Sequence, residues 1–266
     1  MQKYLRSFIL GIQNAMEYRS NFFLNMVSAL FPIFIQSFLW TSIYQGNLKA
    51  VINGYTYQQI IVYTIMANVV SRLIRTGFEY EVADDIKNGG LNKFIIKPID
   101  YSIYKFCCFI GQKLINIAMM GLVIFGLLVF LVLNFGAVFQ AAQIVLFFLS
   151  LLLALILNFT FFFTISISAF WLLEIGFLFE AARIVIIFLS GGIFPLDIFG
   201  KKVAWLSNFL PFKYTINFPV EILSGRLTLN NGFEGILLQI IWILVFIVIA
   251  KLLWLAGTKR YVAVGG

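Results

Sequence analysis

Three strongly apolar runs, 114–133, 142–169 and 236–256, carry a single charge between them, Lys251. Each reaches or exceeds the roughly 18 residues that mark a spanning helix. A chain with such runs cannot bury them all in a water-soluble core. Hydrophobic residues make up 62% of the sequence and charged ones 11%, against about 25% charged in a soluble domain. Much of that apolar surface must face lipid, where unsatisfied backbone polar groups are costly, so the spans are helices or a closed barrel. The runs lack the strict alternation of a barrel strand and are too long for one. The sequence therefore predicts an all-α integral membrane protein, with residues 1–266 forming one transmembrane domain.

The net charge of +8 is spread between the apolar runs and forms no stripe with base-stacking aromatics, which argues against nucleic acid as a partner. Lys and Arg instead gather where cytoplasmic loops are expected. Six spans are predicted, near 22–44, 56–73, 114–133, 142–169, 176–194 and 236–256. With the amino terminus inside, fourteen basic residues fall on the cytoplasmic side and five outside, and both termini are cytoplasmic. A seventh span through 191–227 is rejected. It would hold Lys213 at mid-membrane, break at Pro211 and Pro219, and move Lys259 and Arg260 outside.

Ahead of the first span, residues 1–21 place Leu5, Phe8, Ile12 and Met16 on one helical face, the pattern of an interfacial helix. The loop at 72–105 is the most charged part of the chain. Within it Phe78, Val82 and Ile86 recur at helical spacing, Glu79, Glu81, Asp84, Asp85 and Lys87 take the other positions, and Gly89 and Gly90 end the helix. Such a helix either lies on the membrane or docks into a groove on a soluble partner, and the residues alone favour neither. The amides of Gln36, Gln59 and Asn68, with Ser71, are disfavoured against lipid, so they line a pathway or bond between helices.

Catalytic signals are missing. The chain has no histidine, its adjacent Cys107 and Cys108 suit no tetrahedral metal site, and no phosphate-cradling GxxxxGK[ST] loop occurs. The nearest approach, Gly200-Lys201-Lys202, has Pro195 where the first glycine belongs. A non-enzyme is expected, with no catalytic or metal residue. Span centres nearly free of charge disfavour an ATP-independent channel or secondary transporter, which remains the alternative function.

The run from Asp85 through Gly89-Gly90-Leu91 to Lys97-Pro98-Ile99 resembles the first cytoplasmic loop of type-2 ATP-binding-cassette (ABC) exporter permeases. The run from Gly191-Gly192-Ile193-Phe194-Pro195 through Leu210-Pro211-Phe212 to Pro219-Val220-Glu221 is similar to that family's re-entrant outer helices before the last span, here 191–231. The resemblance implies six spans, an elbow helix at the amino terminus, and a coupling helix over 78–88 seated on a separate ATPase subunit. It also implies a second permease, identical or related, and ATP with Mg on the ATPase rather than on this chain. The expected function is export of an amphipathic or hydrophobic cargo across the cell membrane. In that picture the Phe78, Val82 and Ile86 side docks, and Glu79, Glu81, Asp84 and Asp85 meet a basic rim on the ATPase.

Overall fold

The computed structural model describes residues 2–17, 19–44, 50–135 and 140–261. Lys49 and Gly136, which fall in connections between the predicted spans, lie outside these residues. Helix α1 (Gln2–Glu17) leads into α2 (Arg19–Ile43), then α3 (Tyr57–Ile74), α4 (Phe78–Lys87), α5 (Asn92–Ile95) and α6 (Tyr101–Phe135). After these come α7 (Ala141–Ile167), α8 (Gly176–Leu189), α9 (Lys201–Ser207), α10 (Asn217–Leu223) and α11 (Leu229–Thr258). Among the described residues three helical segments are long and apolar enough to cross a membrane: Tyr57–Lys87, Ala141–Phe170 and Leu229–Thr258.

Between α2 and α3 lies a hairpin, β1 (Val51–Ile52) and β2 (Tyr55–Thr56), that the hydropathy reading did not anticipate. Asn53 and Gly54 turn it with φ of 50° and 79°, the paired left-handed conformation that Asn-Gly adopts readily. Thr56 then caps α3, accepting from the Gln59 amide at 3.3 Å while the Gln59 side chain accepts from the Thr56 amide at 3.0 Å.

The fifth predicted span ends earlier than expected. Helix α8 stops at Leu189, and its 14 residues reach about 21 Å, less than the roughly 30 Å of a hydrocarbon core. The cause is local. Gly191 takes φ of 78°, its carbonyl accepts from the Tyr63 hydroxyl at 2.8 Å, and the Ser190 carbonyl accepts from the Asn217 amide at 2.8 Å. The end of α8 is thus received by α3 and α10, and a side chain at 191 would fall 2.6 Å from the Tyr63 oxygen. Beyond it the chain forms short helices, as the prolines suggested. All seven residues of α10 are buried, including Glu221, which faces Lys213 at 3.9 Å. Arg226 closes this end of the molecule, lying 3.7 Å over the Tyr55 ring, donating to the Gly54 carbonyl at 3.1 Å and facing Asp197 at 3.8 Å.

At the opposite end α1 lies along the beginning of α6. Ser7 and Gly11 are buried there, while Leu5 and Met16 stay exposed at 60% and 61%. The approach is backbone to backbone. A side chain at Gly111 would sit 2.2 Å from the Phe8 carbonyl oxygen, and one at Gly11 would sit 2.2 Å from that of Cys108. Replacing Gly111 by Val is therefore expected to lift α1 from α6 and raise amide exchange across residues 2–17 at least about ten-fold. Unchanged exchange would show that this crossing does not hold the helix.

Candidate functional site

Helix α4 begins at a sharp corner after α3, and two carbonyls left over at the end of α3 need donors there. Asn158 of α7 donates to the Ile74 oxygen at 2.6 Å, and the buried ammonium of Lys113 on α6 donates to the Arg75 oxygen. A cation at a helix carboxyl end also suits the helix dipole. The corner is fixed by the two helices beneath it.

The buried side of α4 comprises Phe78, Glu79, Val82, Ala83 and Ile86. Phe78 stacks on Phe159 of α7 at 4.5 Å and meets Phe109 of α6 edge-on at 5.4 Å. This corrects the expectation that Phe78, Val82 and Ile86 dock onto a partner: they are 4%, 0% and 5% exposed, packed against the chain's own spans. An apolar stripe at helical spacing marks a buried face but does not say what buries it.

The acidic residues divide in the same way. Glu79 is fully buried and bonds to Arg183 of α8, which also holds Glu180 at 2.7 Å and lies 5.2 Å over the Tyr80 ring. Glu180 and Arg183 thus form a pair three residues apart, with Glu79 as a third member. Tyr80 donates to Glu180, and this bond holds its phenol above the usual range, in the protonated donor form. Asp85 accepts from the Tyr101 hydroxyl at 2.7 Å and pairs with Lys105 at 3.0 Å; Lys105 also reaches Glu81 at 3.1 Å. Lys87 donates to the Leu173 carbonyl. Glu79 and Asp85 are thus committed to internal contacts. The exposed strip of α4 is Tyr80, Glu81, Asp84 and Asn88.

Gly89, with φ of 77°, ends the helix as expected, and Gly90 allows the chain to fold back over it. A side chain at 90 would lie 2.9 Å from the Asp85 Cα. The following segment is anchored by Tyr261, donating to Asn92 at 2.9 Å, by Lys3, donating to the Pro98 carbonyl, and by Tyr4, accepting from the Asp100 amide at 3.2 Å.

Of the other residues singled out from sequence, Asn68 donates to Gln36 at 2.9 Å, linking α3 to α2, and Gln59 serves the cap of α3. Ser71 is half-buried, as are Phe8 and Ile12 on α1. Sequence reasoning did not find Arg183, Lys105, Lys113, Tyr101 or Asn158 as partners of the α3 to α4 corner. Their only signal is polarity within or beside apolar runs.

Residues 30–265 match the model of a family described as ABC-2 family transporter protein. The chain belongs to the ABC-2 transporter family. It is a transmembrane permease of an ABC transporter, a class that works with an ATPase partner. No curated protein and no solved structure matches it.

Proposed function

We propose that this permease exports an amphipathic or hydrophobic cargo across the cell membrane, driven by a separate ATPase that presses on α4. The observation that carries this reading is the fastening of α4 to α6, α7 and α8 through Phe78, Lys105 and Arg183, while Tyr80, Glu81 and Asp84 remain outside. A partner gripping the outer strip moves those helices with it, which is the differential contact that a driven conformational change requires. ATP and Mg bind the ATPase, and a second permease, identical or related, completes the pathway.

Six spans, with both termini cytoplasmic, fit the alternating directions of α2, α3, α6, α7, α8 and α11 between the hairpin end and the α4 end. The short α8 is completed by the segment through Gly192. Helix α1 serves as the elbow, its exposed Leu5 and Met16 turned to lipid. The bond between Asn68 and Gln36 favours the helix-linking role for those amides over pathway lining.

The variant Asp84→Arg is expected to accumulate and fold as the wild type does. It should lose at least about ten-fold of cargo-stimulated ATPase activity with the copurified partner, since a cation then opposes a basic rim. Full stimulation in this variant would move the partner contact off α4. A chain that purifies from its host with no ATPase, even after crosslinking, would favour the ATP-independent alternative. A cysteine at Asn88 should label from the cytoplasm and one at Lys202 from outside; labelling of both from one side would overturn the topology.

A further inference from the structure

Where the start of α6 approaches the end of α11, a half-open groove of about 630 Å3 runs between them over α7. Phe159, Phe163 and Ile247 line it as apolar walls, and Lys97, Ser102 and Thr258 line it as polar ones. Ile247 and Thr258 both belong to α11, so the groove follows that helix for about 16 Å. Lys251 lies between them. It is exposed, and it is the only charged residue from 235 to 258.

Among the described residues neither Lys251 nor Lys97 forms an ion pair. The carboxylate at the same rim, Asp100, caps α6 by accepting from the Ile103 amide at 3.0 Å. An ammonium two turns inside an apolar helix end reaches toward the interface and seeks an anion there.

We infer that this groove binds an anionic phospholipid of the surrounding leaflet, with its phosphate between Lys97 and Lys251 and an acyl chain along Phe159, Phe163 and Ile247. The chemistry changes along the groove in the order a phospholipid requires. Two cations and two hydroxyls line it toward the end of α11, where a headgroup would lie, and aromatic and aliphatic side chains line the rest. A soluble anion would leave the apolar walls uncovered, a neutral hydrocarbon would leave Lys251 without a counter-ion, and a zwitterionic lipid would bring a cation to a cationic rim. The inference does not rest on the coupling role of α4.

The test uses the full-length permease, stripped of lipid in detergent and offered phosphatidylglycerol or phosphatidylcholine with the same acyl chains, with native mass spectrometry as the readout. Phosphatidylglycerol should be retained at least ten-fold better than phosphatidylcholine. Lys97→Gln with Lys251→Gln should reduce it to the phosphatidylcholine level, whereas Lys259→Gln, outside the groove, should not. Equal retention of the two lipids would overturn the proposal, as would undiminished phosphatidylglycerol binding by the double variant.

Discussion

Placing Asp at Val82 is expected to prevent folded permease from accumulating at all, instead of yielding an inserted but uncoupled protein. Val82 is 0% exposed, in a core shared by α4 and α7. A carboxylate there has no partner of opposite charge, and an unpaired buried charge costs several kcal/mol, enough to consume much of a domain's stability. The Asp84→Arg change, on the open side of the same helix, should leave folding within about 0.5 kcal/mol. Comparing the two by size-exclusion profile and thermal midpoint in detergent separates a buried face from a docking face. A well-folded Val82→Asp protein that had lost only ATPase stimulation would mean that the apolar side of α4 turns outward to the partner.

Arg183→Gln should produce the second large loss. Glu79 is fully buried and Arg183 is its only ion-pair partner among the described residues, so removing the guanidinium strands a carboxylate between α4, α7 and α8. Breaking one side of such a pair costs about 3–5 kcal/mol, whereas removing both charges is far milder. The double variant Glu79→Gln, Arg183→Gln should therefore recover most of the thermal midpoint lost by the single one. A single variant as stable as the wild type would show that the pair between Glu79 and Arg183 does not hold α4 to α8.

Hydropathy and charge placed the long helices well because lipid penalises polar backbone and charge so steeply. The cores of α3, α7 and α11 lie where the apolar runs are, and Gly89 stops α4 where the residue pattern stops it. The early end of α8 was hidden. Ser190 and Gly191 sit in apolar surroundings, and only the approach of Tyr63 and Asn217, distant in sequence, makes a left-handed turn stable there. The hairpin before α3 was legible in Asn53-Gly54, the dipeptide that favours such a turn, although its two-residue strands carry no hydropathy signal. At the candidate site the face of α4 was readable from spacing, but its polarity was misassigned. Sequence shows that Phe78, Val82 and Ile86 share a side; only packing shows that this side is buried within the chain, with Phe78 against Phe159 and Phe109. Glu79 and Asp85 were likewise indistinguishable from Glu81 and Asp84 until Arg183 and Tyr101 came into view.

The backbone contact of Gly11 with Gly111 has a consequence for the order in which the protein is made. The two glycines are 100 residues apart, so α1 leaves the ribosome well before the helix it rests on. At about 5–20 residues per second, α1 waits about 5–20 seconds for its cradle. During that interval its apolar side has only the bilayer surface to cover it. The amphipathic character of α1 thus serves the nascent chain first, parking it at the lipid boundary until α6 is inserted, and a variant that weakens its lipid affinity should fail during biogenesis even where the finished contact is sound.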